Sequence, residues 1–117
     1  MSPTIGRTVL YCLKPEDLER FDAHLERFGG GAHALIKDEA GKIDRLEWCG
    51  NVLHPGDVFP MVVVRPWHTP GQYVAGSSCL NGRVLLDGPF DFWALSVHES
   101  IAPEPVQGTW QWPPRSP

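Results

Sequence analysis

The segment from Cys79 to Val97 constrains this chain more than any other. Two apolar, β-favouring runs, Arg83–Leu86 and Phe92–Val97, flank the turn-forming Asp87-Gly88-Pro89. In the second run Trp93, Leu95 and Val97 alternate with Phe92, Ala94 and Ser96, which is the period of a strand. The pattern predicts a β-hairpin that lends the core at least one large aromatic side chain. Twelve glycines and twelve prolines in 117 residues supply the turns of a fold made from short elements. That favours β or α+β over a helix bundle. The length suits one domain with one core, residues 1–117, in which about 113–117 form a frayed tail.

Thr8–Cys12 is β-branched and aromatic and reads as a first strand. A helix follows over Pro15–Phe28. Proline suits its first position, and Glu16 and Asp17 place negative charge at the positive end of its dipole. Leu18, Phe21, Leu25 and Phe28 form one apolar stripe at helical spacing. Gly29-Gly30-Gly31 ends the helix; lying after a helix and without a following Lys-Ser/Thr, it does not read as a phosphate loop. Residues 32–49 are ambiguous, and the preferred reading pairs Ala34-Leu35-Ile36 with Ile43–Cys49 across Asp38–Gly41. Val58–Arg65 is a buried strand with Pro60 at its beginning or at a bulge. Tyr73-Val74-Ala75 is read as a further short strand, and Trp110 and Trp112 point to one side of a terminal strand. The sum is an α+β fold: one amphipathic helix packed on a bent antiparallel sheet or small β-barrel of five to seven strands.

Net charge is −4 and the ten basic residues are scattered, so no basic stripe exists to neutralise phosphates and no nucleic-acid binding is expected. Cys12, Cys49 and Cys79 are odd in number and lack C-x-x-C spacing. They read as reduced, small apolar residues in a reducing compartment. No run of ~18 apolar residues and no signal-like N-terminus occurs, so the expectation is a soluble, cytoplasmic protein without a membrane partner.

The chemistry-bearing residues form no recognised constellation. His24, His33, His54, His68 and His98 make no H-x-x-x-H pair, and Cys49, His54, His68 and Cys79 match no zinc spacing. No metal and no cofactor is expected. Ser96 and His98 sit two apart beside Glu99, but no nucleophile elbow or orienting group accompanies them, so no catalytic residue and no enzyme is expected. The tryptophans are more informative. Arg65 with Trp67, Trp93 in the hairpin, and Trp110 with Trp112 either converge on an aromatic pocket or partner-binding patch, or fill the core. On the first reading Arg65 meets an anionic group, and Ser96 and His98 add hydrogen bonds.

Several blocks resemble small accessory proteins encoded by tailed bacteriophages and prophages. They are Ile5-Gly6-Arg7-Thr8-Val9-Leu10-Tyr11, Gly50-Asn51, Gly56-Asp57-Val58-Phe59-Pro60-Met61 with Arg65 and Trp67, Asn81-Gly82-Arg83-Val84-Leu85-Leu86-Asp87-Gly88, Phe92-Trp93 with Ser96, and Gly108-Thr109-Trp110-Gln111-Trp112-Pro113-Pro114. Where Pro89 or Phe90 stands here, such proteins often carry an acidic residue. The resemblance implies a protein made in the cytoplasm of an infected bacterium, with the habit of counter-defence proteins that act by binding. The expected function is therefore non-enzymatic binding of a host or phage protein, as a homo-oligomer. The alternative is a sponge that takes up a small nucleotide-type ligand in an aromatic and arginine pocket.

Overall fold

The computed structural model describes residues 2–29, 31–68, 71–86 and 91–114. The turn Asp87-Gly88-Pro89 and the tail beyond Pro114 lie outside the described residues. The elements run β1 (Thr8–Cys12), α1 (Pro15–Phe28), β2 (His33–Lys37), β3 (Ile43–Trp48), β4 (Asn51–Leu53), β5 (Val58–Pro66), β6 (Cys79–Leu85), β7 (Asp91–Glu99) and β8 (Thr109–Gln111). One helix with many strands makes the chain α+β in character. It divides into two compact units, Leu13–Asp57, and Met1–Cys12 with Val58–Pro117.

In the first unit α1 begins where Pro15 fits the helix start and the Lys14 N–H donates to Asp17 Oδ2 at 3.0 Å. It ends at Gly29, whose φ of 72° is left-handed and whose N–H donates to the Leu25 carbonyl at 2.9 Å. Leu18, Phe21 and Leu25 are buried as the stripe requires, but Phe28 is 64% exposed. Phe28 falls on the last turn, where its ring meets His24 and Arg27 instead of a sheet. The helix packs on β2 and β3, with Phe21 edge-on to Trp48 at 5.2 Å. Those strands pair antiparallel, Leu35 opposite Leu46, across the expected Asp38–Gly41 turn. Asp38 Oδ1 holds that turn by accepting the N–H groups of Ala40 and Lys42, each at 2.9 Å. Cys49-Gly50, both at positive φ, turn the chain again so that β4 returns along β3. His33 sits between Asp22 and Glu26, 2.9 and 3.1 Å from its two ring nitrogens, and so ties β2 to α1.

The second unit is a closed barrel in the order β1-β5-β6-β7-β8. β1 runs antiparallel to both β5 and β8, and β7 and β8 are parallel. Closure leaves no open sheet edge. Val9, Tyr11, Met61, Val63, Leu80, Val84, Ala94, Val97 and Trp110 are among its buried apolar residues. Pro60 stands before the β5–β6 ladder begins at Met61, where its missing N–H costs nothing in that pairing. Gly82 allows β5 and β6 to close together, since a Cβ there would lie 2.7 Å from both Met61 Cγ and the Val62 carbonyl.

Three further expectations are corrected. The strict alternation of Trp93, Leu95 and Val97 is broken: Ala94 and Val97 are buried, Trp93 is half-buried and Leu95 is 60% exposed. The cause is a bulge in which Leu95 and Ser96 together oppose Asn81, with Ser96 at φ 51°. Tyr73-Val74-Ala75 forms no strand. The strands among the described residues also exceed the five to seven expected, because Cys49-Gly50 splits off β4.

Candidate binding surfaces on the barrel

Asn81, on β6, stands between two bulges. On one side Val64 is the additional residue of β5, and on the other Leu95 and Ser96 crowd opposite it on β7. A bulge leaves ladder groups without strand partners, and here a side chain supplies one. The Asn81 carboxamide oxygen, in a residue only 7% exposed, accepts the Ser96 N–H at 2.8 Å and the Trp67 indole N–H at 3.1 Å. Trp67 is thereby fixed although it is 51% exposed. Its backbone N–H donates to the Cys79 carbonyl at 2.9 Å, and the Arg65 guanidinium lies 4.2 Å over its ring. Burial raises the Cys79 thiol's pKa above its usual value, while the Ser96 side chain and the Leu80 backbone oppose the rise. Cys79 is therefore a packed thiol and not an activated nucleophile. Val64 and Leu95, the bulged residues, are left exposed.

A second site lies along β7, β8 and the segment before β6. Glu99 is 9% exposed and accepts from two donors. The Tyr73 hydroxyl donates to its carboxylate, 2.9 and 2.8 Å from the two oxygens, and the Gly76 N–H donates to Oε1 at 2.8 Å. The Trp112 indole N–H in turn donates to the Tyr73 oxygen at 3.3 Å. Burial raises the Tyr73 pKa above its usual value, the Trp112 N–H lowers it, and the Glu99 carboxylate raises it further. Around this network runs an open groove of about 640 Å³, walled by Ile101, Trp112, Pro113 and Pro114 and edged by Arg7.

The seven residues singled out in the sequence do not form one site. Arg65, Trp67 and Ser96 gather at Asn81. Trp112 belongs to the groove. Trp110 is fully buried, with its N–H 3.3 Å from the Ser78 carbonyl and its ring edge-on to Trp112 at 5.6 Å, so it serves the core and not a surface. Trp93 lies under the Arg83 guanidinium at 5.8 Å, and Arg83 is paired with Asp91. His98 is exposed on β7, opposite Cys79 and Thr109. Among the described residues no three His, Cys, Asp or Glu side chains come together as metal ligands.

Asn81, Tyr73, Glu99 and Arg7 were missed. Asn81 precedes Gly82, a dipeptide that marks tight turns and gives no sign of a buried acceptor. Tyr73, Glu99 and Trp112 carry no local pattern that would join them, since their contacts depend on the barrel. No family model, no curated protein and no solved structure matches the chain.

Proposed function

We propose that this protein is a non-enzymatic binding protein that engages a protein partner through the Arg65–Trp67 face of its barrel. The observation that carries this reading is an exposed tryptophan whose indole, backbone and ring face are all held before any partner arrives. Trp and Arg dominate the contact energy of protein interfaces. Ordering such a side chain on binding costs about 0.5–1.5 kcal/mol, and a pre-fixed pair avoids much of that cost. Ser96, held in a left-handed conformation beside it, is the kind of strained residue that gathers at functional sites. The resemblance to phage accessory proteins supports a partner drawn from a bacterial host or from the phage itself. A nucleotide-type ligand stacked on Trp67 is less well supported, because Arg65 already covers one face of that ring.

The test begins with the full chain as bait in bacterial lysate, followed by titration of the purified partner it retains. Trp67→Ala and Arg65→Ala should each weaken that binding by about tenfold or more, as expected for central contacts. A partner that binds Trp67→Ala as tightly as the native chain would sink the reading, as would the absence of any retained partner.

A further inference from the structure

The groove beside Glu99 holds two features that its own residues leave unanswered. The first is charge. Arg7 and Glu99 both line the groove, yet among the described residues neither belongs to an ion pair. The Glu99 carboxylate also retains acceptor capacity. The two Tyr73 distances describe one shared proton, and the Gly76 N–H falls on Oε1, so Oε2 has only part of one donor. The second is an orphan. Gln111 Oε1 is buried and has no hydrogen-bond partner among the described residues. Gln111 lines an adjoining recess of about 310 Å³ that shares Glu99, Ile101, Trp112 and Pro114 with the groove. An unsatisfied buried acceptor costs about 1–3 kcal/mol and calls for an explanation.

An occupant that answered both would bring N–H donors to Glu99 and, once the Gln111 amide turns toward the recess, to Gln111, and a negative group to Arg7. Between them it would need a flat apolar body, for Trp112, Ile101, Pro113 and Pro114 form the walls. Trp112 is already fixed by its bond to Tyr73 and by its edge contact with Trp110. The volume of about 640 Å³ lies within the range of roughly 300–1,000 Å³ usual for small-molecule sites. We propose that this groove is a second site, which binds a small flat ring carrying an amino group at one end and an anion at the other. That is the chemistry of an amino-base nucleoside monophosphate. It is separate from the Arg65–Trp67 face and does not depend on that face binding a partner.

Calorimetric titration of the full chain with AMP, IMP, adenosine and inorganic phosphate tests each part. AMP should bind one to one. IMP presents a carbonyl oxygen where AMP has its amino group, and adenosine lacks the anion, so each should bind about tenfold more weakly. Inorganic phosphate alone should give no heat at millimolar concentration. Arg7→Met, at an exposed position, should reduce AMP to the affinity of adenosine. Gln111→Met should weaken AMP while raising the unfolding midpoint of the free protein, because the orphan acceptor is gone. A residue with only a structural role would not show that opposition. Trp67→Ala should leave AMP binding unchanged, so failure here and failure of the partner-binding face are told apart. No binding of AMP at millimolar concentration overturns the proposal. So does AMP binding that Arg7→Met and Gln111→Met both leave intact, or phosphate binding as tightly as AMP.

Discussion

Trp48 and Trp110 are both fully buried, yet they sit in different kinds of core. Trp48 lies on β3 and packs on Phe21 of α1, and β3 pairs with the strands immediately before and after it in the chain. Phe21, β2 and β4 all come from within residues 13–57. Trp110 lies on β8, which pairs Tyr11 with Trp110 and Glu99 with Trp110. Its neighbours come from opposite ends of the sequence. The first arrangement needs only short loops to close, whereas the second forms only when the barrel closes as a whole. A buried tryptophan is thus a local fastening in one unit and a keystone in the other.

The largest effect follows from that difference. Trp110→Ala should cost about 3–5 kcal/mol, because the cavity lies between paired strands that cannot collapse into it. It also removes the N–H that reaches the Ser78 carbonyl. Since β8 alone joins β1 to β7, amide exchange should accelerate in all five barrel strands together. Trp48→Ala should cost a similar amount and accelerate exchange in α1 and β2–β4. If Trp110→Ala loosened only β8, closure would not be cooperative and the contrast would fail.

A smaller effect separates buried from exposed turn chemistry. Asn81 and Asp38 do the same job, one side-chain oxygen accepting two N–H groups. Asn81 is buried and Asp38 is exposed. Asn81→Leu should cost about 2 kcal/mol, because the Ser96 N–H and the Trp67 indole both lose a buried acceptor. Asp38→Ala should cost about 1 kcal/mol or less, since water replaces the carboxylate. Denaturant midpoints decide it, and equal losses would mean that burial is not what makes Asn81 matter.

The same contrast explains what the sequence revealed. The Pro15–Phe28 helix and the Asp38–Gly41 hairpin were legible because start, stop and turn residues act on adjacent backbone. So was the nearness of Arg65 and Trp67, two residues apart at the end of β5. Phe28 was misplaced because a helical stripe does not say where its sheet ends. The exposure of Leu95 was hidden because the bulge depends on Asn81, a residue on another strand. The pattern put Trp110 and Trp112 on one side, but only barrel closure decides that the first is core and the second lines a groove. Glu99 gave no signal, since a buried carboxylate is recognisable only by the Tyr73 and Gly76 donors that meet it in the fold.

The smallest effect concerns strain, which each unit stores once outside glycine among the described residues. Cys49 has φ 48° and Ser96 has φ 51°, and a side chain in that region costs about 1 kcal/mol or more. Glycine removes the clash but adds freedom to the unfolded chain, so the net gain should stay under about 1 kcal/mol. Cys49 is exposed, and Cys49→Gly should raise the unfolding midpoint by that small margin. Ser96→Gly also forfeits the hydroxyl that meets the Cys79 thiol, so relief and loss should nearly cancel, within about 0.5 kcal/mol. Loss of that hydroxyl has its own signature. Because the hydroxyl holds the Cys79 pKa down against burial, Ser96→Gly should raise that pKa further, readable as slower alkylation of Cys79 at mildly alkaline pH. If Ser96→Gly destabilised the barrel by clearly more than 1 kcal/mol, the left-handed turn would be held by the serine rather than strained by it, and Asn81 would not be its main support.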